Sequence, residues 1–298
     1  MTPADSSPTR IMTISVIQFT AIDDHNKSNL ASMRRLLDIA GRRRSDLAVL
    51  PEAITGCGAS HPTAYQRIAE PIPGPTTDML CAKAREHGMY ITGSMFERAE
   101  DGKIYNTAPL ISPAGEIVGC YRKTHLFSPG SGPDIAHGLS EAQKITPGDS
   151  LHVFDIGKCR LGIAICADLR FHEVIRELAL QGAEVIALPT AFPNPRLDHW
   201  EFTLRTRATD NQLFIAATGM YGQEPASGAR FVGRSMVVDP WGVVLACASD
   251  GEVCATTEID LGDVQKVRDW YPLGDLRRPE LYVAQAALGA RQAKTAAN

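Results

Sequence analysis

Three side chains of this sequence stand where an apolar, strand-like run gives way to a turn. Cys166 closes LGIAIC ahead of ADLRF, Glu52 follows LAVLP, and Lys123 follows GCYR. A thiol, a carboxylate and an amine gathered in one place could cleave a carbon–nitrogen bond without a metal or cofactor. The thiol attacks an amide carbonyl and splits the reaction into acylation and hydrolysis. The carboxylate moves the protons, first from the thiol, then to the departing nitrogen, and later from water. The amine supplies positive charge where the tetrahedral oxyanion develops, assisted by a backbone N–H such as that of Ala167. No GxSxG motif offers a serine nucleophile instead.

Each of the three also has a plainer reading. A cysteine in an apolar segment is usually inert packing. Cys166 differs because a strand-to-helix turn places it near backbone N–H groups and the positive helix end, which should favour the thiolate. Cys57, in a Gly-rich loop after Glu52, is the strongest competitor. Cys159 is mid-strand with its face undetermined, and Cys81, Cys120, Cys247 and Cys254 read as core or surface filler. Glu52 at the C-terminal edge of a parallel-type strand points into the crevice where layered α/β folds bind ligands. It would serve equally as a surface ion-pair partner or a cap, and Lys123 taken alone reads as a solvated side chain.

The elements that must position them alternate. Strands are expected at Thr13–Phe19, 46–51, Met89–Phe96, 104–112, Ile117–Arg122, 151–154, 160–165, 185–189, 213–218, 235–239, 243–247 and 253–259. Several are continuous apolar stretches, the mark of strands covered on both faces. Amphipathic helices are expected at 26–44, 76–87, 171–181 and 197–211. The order strand, helix, strand, helix, strand pair occurs twice, and the turns PAGE (113–116) and PWG (240–242) close strand pairs. This describes two similar halves joined near 125–150, packed as an α/β sandwich of two sheets with helices outside, four layers around one core.

Composition narrows the function classes. The chain has 298 residues, 44% of them hydrophobic, and a formal net charge of -4. Its only basic cluster, Arg42, Arg43 and Arg44, reads as a helix cap rather than a nucleic-acid patch. The N-terminus does not read as a signal peptide, and no run approaches the ~20 apolar residues of a membrane span. Seven cysteines without CxxC pairs or Cys/His metal spacing fit a reducing cytoplasm and free thiols. No P-loop or GxGxxG fingerprint is present.

From about Ile14 to Tyr282 these segments resemble the nitrilase superfamily of carbon–nitrogen hydrolases, closest to its omega-amidase and deaminated-glutathione amidase (Nit) branch. The resemblance implies the four-layer αββα sandwich, as one domain over residues 11–284 with flexible ends at 1–10 and 285–298. It implies that Glu52, Lys123 and Cys166 form the catalytic triad, with Lys123 and the Ala167 amide as the oxyanion hole. Glu141, ahead of ITPGD, corresponds to a carboxylate that orients substrate or holds the lysine; otherwise it is an exposed loop charge. Arg170, four residues past Cys166, would pair with a substrate carboxylate. The alternative is an internal pair with Asp168 or Glu173. Phe192 would wall the substrate chain, or pack in the core. No metal or cofactor is implied.

The branch's substrates imply ammonia release from a small terminal amide bearing a carboxylate. The same triad serves an N-carbamoyl amidohydrolase or a nitrilase, and a non-catalytic binding homologue is a further alternative. A homodimer or higher assembly is implied through the helices after Cys166 and the C-terminal tail, with the Trp200 and Trp270 regions as local support. Arg207 and Asp210 would bind neighbouring backbone or the dimer partner. Two departures bear on specificity: Ala167 stands where relatives carry Tyr or Trp, and His172 where they carry Pro. Ala167 should open space beside the nucleophile, and Arg196 or His172 would line the mouth.

Overall fold

Apolar side chains that point alternately to two buried faces build the centre of this molecule, in two sheets. A computed structural model describes residues 9–22, 27–57, 63–128, 140–225 and 228–282. Most of the Gly/Pro-rich join and the proposed flexible ends lie outside the described residues, except Thr9 and Arg10, the latter paired with Glu184 (2.7 Å). The first sheet runs β15 (Val253–Asp260), β1 (Ile11–Gln18), β2 (Leu47–Val49), β3 (Tyr90–Thr92), β5 (Ile104–Ile111), β4 (Met95–Arg98), with β6 (Ile117–Arg122) also paired to β5. The second runs β14 (Val244–Cys247), β13 (Met236–Val238), β10 (Phe214–Gly219), β9 (Val185–Thr190), β8 (Arg160–Ile163), β7 (Val153–Asp155). A short ribbon pairs β11 (Tyr221–Gln223) with β12 (Arg230–Val232).

Met12, Ile14, Val16, Leu47 and Val49 face Leu161, Ile163, Val185, Ala187, Phe214 and Ala216 across the space between the sheets. Their neighbours in sequence point outward. Ala48 and Ile91 meet Met33, Leu36 and Leu37 of α1 (Lys27–Arg42) and Leu80 of α3 (Pro75–His87). Ile186, Leu188 and Ile215 meet Val174, Ile175 and Leu178 of α4 (His172–Leu180) and Leu204 of α5 (Leu197–Asn211). Strands buried on both faces therefore read as unbroken apolar runs, and the four-layer αββα order follows. Each fully buried leucine or isoleucine here contributes roughly 2 kcal/mol of hydrophobic stabilisation.

The two halves repeat. In each, parallel strands (β1-β2-β3, β8-β9-β10) alternate with helices and end in an antiparallel hairpin. The last strand returns to the first half: β15 pairs antiparallel with β1, in the place that β7 takes beside β8. Two expectations need correction. Met89–Phe96 is not one strand; it breaks at Gly93-Ser94 into β3 and β4, both paired to β5. At the break the chain passes so close to Leu50 that a β-carbon on Gly93 would lie 2.5 Å from that of Leu50. Trp200 cannot support an interface, because it is fully buried and its Nε1 donates to the Arg234 carbonyl (2.9 Å), whereas Trp270 is exposed. The short helices α2 (Ala64–Ile68) and α6 (Gly262–Trp270) and the β11–β12 ribbon were not foreseen. No helix among the described residues is long and apolar enough to cross a membrane.

Candidate active site

The ends of β2, β6 and β8 converge at one edge of the sandwich. After β2 the chain turns through Pro51, Glu52 and Ala53, the last at φ 54°, a left-handed conformation that a β-carbon disfavours. Ser94 clamps that turn. Its Oγ accepts from the Ala53 amide (3.2 Å), its carbonyl from the Ile54 amide (2.8 Å), and its own amide donates to the Pro51 carbonyl (3.1 Å). Lys123 is the first residue past β6, and its amide donates to the Asn106 carbonyl of β5 (2.8 Å). Cys166 opens a single 3-10 turn, Cys166–Arg170, at φ 43°. That turn, rather than an α-helix, links β8 to α4.

Lys123, Glu52 and Glu141 form a buried charged chain. The Lys123 ammonium donates to Glu52 Oε1 (2.7 Å) and to Glu141 Oε2 (2.6 Å), all three residues being no more than 5% exposed. Asn106 Nδ2 bridges the same two carboxylates, at 2.9 Å and 3.0 Å. The Phe127 amide donates to Glu141 Oε2 (2.8 Å), and the Ala191 amide to Glu52 Oε2 (2.8 Å). Glu141 is therefore a buried ligand of the ammonium, not an exposed loop charge. Burial works against a charged Lys123, but Glu141 and Glu52 outweigh it and raise its pKa well above the ordinary lysine value. Burial, reinforced by Glu52 and opposed by Lys123, raises that of Glu141. An ammonium has three donors; the two carboxylates take two, and the third is left for the cavity.

The thiol corrects one expectation. Burial, and then the Glu52 carboxylate, push the Cys166 pKa well above its usual value; Lys123 and the Ala191 amide oppose this without reversing it. Cys166 is thus held as a thiol beside a carboxylate, not as a thiolate at a helix end. A five-residue 3-10 turn supplies little dipole, and burial penalises the anion.

Glu52, Lys123, Glu141 and Cys166 line one small cavity of about 40 Å³. Its other walls include Cys57, Tyr65, Phe96, Phe127, Ala191, Pro193 and Phe231. Phe192 is not among them. In the extended segment after β9, Ala191 and Pro193 face the cavity, so Phe192 points away and packs against Trp200 in the core under α4 and α5. Arg170 does not line the cavity either. Its guanidinium lies 4.9 Å over the Phe192 ring and 3.2 Å from the His199 imidazole, not against Asp168 or Glu173. Burial lowers the Arg170 pKa, Cys166 opposing and Arg196 adding to the effect; burial, Arg170 and Arg196 lower that of His199. Among the described residues neither Arg170 nor Arg196 has a carboxylate partner. His172 sits apart, against Glu173. Arg207 binds backbone, as one alternative had it, donating to the Leu169 carbonyl (3.2 Å). The Asp210 carbonyl accepts from Arg176 (2.6 Å).

Two residues with large roles here escaped sequence reasoning. Asn106 carried a signal, an amide inside the buried run IYNTAPLI, and a buried amide must find partners. Asp168 ties the lysine loop to the nucleophile turn. One oxygen accepts from Tyr121 Oη (2.7 Å) and the Ile165 amide (2.9 Å), the other from the His125 amide (3.1 Å) and Thr124 Oγ1 (3.2 Å). Each oxygen faces a backbone N–H, so the side-chain NH₂ of an asparagine in its place would oppose a donor in either orientation. Asp168→Asn is expected to destabilise the fold by on the order of 3 kcal/mol. A urea midpoint unchanged from the parent protein would refute this account of the turn.

The carbon–nitrogen hydrolase family model matches residues 13–269. The chain is 34% identical to omega-amidase NIT2-A of Xenopus laevis over 272 residues, 90% of this chain and 96% of that one. It is 35% identical to deaminated glutathione amidase of Bos taurus, over 94% of this chain and 86% of the other. Among solved structures, the C. elegans NitFhit protein superposes with a TM-score of 0.84 at 29% identity, covering 92% of this chain and 66% of that longer one.

Proposed function

The chain belongs to the carbon–nitrogen hydrolase family and hydrolyses carbon–nitrogen bonds other than peptide bonds; from that premise we propose an omega-amidase-like reaction, release of ammonia from a small terminal amide bearing a carboxylate. The observation that carries this reading is the convergence of a buried thiol with the Glu52–Lys123–Glu141 chain in one cavity. Glu52 takes the Cys166 proton as sulfur attacks the amide carbonyl. The free N–H of Lys123 and the Ala167 amide receive the oxyanion. Glu52 passes its proton to nitrogen, the C–N bond breaks, and ammonia leaves a thioester on Cys166. Water then gives a proton to Glu52 and attacks the thioester, and the acid departs as the thiol regains its proton. Glu141 holds the ammonium in place throughout.

The cavity holds the reacting amide between Glu52, Lys123 and Cys166, and the rest of the substrate extends toward its mouth. There the substrate carboxylate meets Arg170, with Arg196 adding positive charge and Phe192 as the floor beneath the guanidinium. The homologues named omega-amidase and deaminated glutathione amidase support this choice of substrate class.

The test is a panel. Omega-amides of dicarboxylic and 2-oxo acids, neutral primary amides of equal length, N-carbamoyl amino acids and nitriles are offered in turn, with ammonia measured and the quenched protein weighed intact. Ammonia from the charged amides, a preference for them over the neutral ones, and an acyl mass on the Cys166 peptide are expected. Turnover confined to carbamoyl compounds or nitriles would overturn the substrate assignment. An adduct on another cysteine would overturn the nucleophile.

A further inference from the structure

Glu52 and Lys123 stand at the end of the first sheet, and Cys166 at the end of the second. The base and its nucleophile are thus held apart by the packing of one sheet on another. That packing is almost wholly aliphatic at its centre, and apolar burial is non-directional. Directional contacts across the gap are found at both edges: Arg10 donates to Glu184 (2.7 Å) at the far one, and at the edge where the site lies the Ser235 amide donates to Gln18 Oε1 (3.1 Å) beside the contacts that follow. Thr218 of β10, fully buried, donates its hydroxyl to the Leu50 carbonyl at 2.8 Å, two residues before Glu52. Thr190 of β9, also fully buried, donates its hydroxyl to the Thr218 carbonyl at 2.6 Å. The Thr190 carbonyl accepts from the Glu52 amide at 3.4 Å, and the Ala191 amide reaches Glu52 Oε2 at 2.8 Å. Leu50, Glu52, Thr190 and Thr218 therefore close a ring of hydrogen bonds that spans both sheets.

We propose that Thr218 is a positioning residue, whose hydroxyl, reaching across the gap to Leu50, sets the separation between the Glu52 carboxylate and the Cys166 thiol. It touches neither substrate nor sulfur. It acts through the backbone of the Glu52 turn, which the left-handed Ala53 leaves no slack to adjust on its other side. Valine at this position keeps the shape and removes the donor, leaving the buried Leu50 carbonyl without the Thr218 hydroxyl. Ser94, Lys123 and Asn106 would still tie Glu52 to its own sheet, but that sheet would lose a directional contact with the one that carries Cys166, and a shift of about 1 Å between reacting groups can cost on the order of 100-fold in rate. The proposal rests on the reading of Glu52 as the base.

The probe is iodoacetamide, a neutral electrophile the size of a small amide. Cys166 loses its proton and forms a carbon–sulfur bond as iodide leaves, and peptide mapping separates it from the other cysteines. Glu52→Gln is expected to slow Cys166 alkylation at neutral pH by about 100-fold, Thr218→Val by about 10-fold, and Thr218→Ser by less than about two-fold. Raising the pH should restore Thr218→Val more than the parent, because hydroxide replaces a misplaced base. If Glu52→Gln alkylates at the parent rate, the reading of Glu52 fails. If Glu52→Gln is slow and Thr218→Val is not, or if Thr218→Ser is as slow as Val, the positioning role fails alone. Thr218→Ala replaces Val should Val not fold. If neither hydroxyl-free variant folds while Ser does, the hydroxyl is a requirement of folding and the positioning role is overturned.

Discussion

Cys166→Ala is expected to lower ammonia release from any accepted amide by on the order of 10⁴-fold or more, with the fold intact. The loss is large because the thiol has no deputy. Cys57 lines the same cavity, but the Ala191 amide, the Glu52 carboxylate and the Lys123 charge all act on Cys166. Removing one sulfur from a packed site costs roughly 1 kcal/mol, so the melting transition should barely move. Cys166→Ser should be nearly as inactive, since a carboxylate able to deprotonate a thiol is far too weak a base for an alcohol. The raised thiol pKa adds a sign. At neutral pH the sulfur is protonated, so free thiolate is scarce and reaction depends on Glu52. In a Glu52→Gln background burial still holds the thiol up, with Lys123 opposing and the carboxylate's push gone, so alkylation should climb with pH through the ordinary thiol range, about 8.5. Ammonia release retained by Cys166→Ala and lost in Cys57→Ala would move the nucleophile to Cys57.

Residues that close strands were legible in the sequence, because an apolar run marks its own end. Glu52, Lys123 and Cys166 each follow such a run, and the parallel strands around them carry the ends to one edge. The four layers were legible for the same reason, since a strand buried twice has no polar phase to hide. What escaped depends on which way a side chain points or what faces it across the gap. Phe192 and Ala191 are neighbours in sequence, yet period two sends one into the core and the other to the cavity. Arg170 was expected one helical turn past Cys166; a 3-10 turn with about three residues per turn swings it over Phe192 instead. Asn106, Asp168 and Thr218 gain their meaning from partners 35 to 168 positions away. No local pattern contains such a partner. The state of the Cys166 proton was misread because burial, a property of the whole fold, outweighs the local turn.

Lys123→Met is expected to remove activity and also to destabilise the protein by about 3–5 kcal/mol at neutral pH. The reason is charge rather than volume, for methionine fills much of the same space. Glu52 and Glu141 would be left buried side by side, joined only by the Asn106 amide. In the parent protein burial already raises the Glu141 pKa while Lys123 holds it down. Without the ammonium Glu141 retains in the native state a proton that it loses in the unfolded state. The native state then binds more protons, so stability must fall as pH rises above the ordinary carboxylate range, about 4.5, and more steeply than in the parent. Urea midpoints from about pH 5 to about pH 8 measure that slope. A second substitution separates the two duties of the lysine. Lys123→Met with Glu141→Gln removes one of the stranded charges and should regain much of the stability. It should regain no ammonia release, because the third N–H that meets the oxyanion is still missing. If that double variant turns over amide at a rate near the parent's, Lys123 serves only to balance charge, and the oxyanion is stabilised by backbone alone.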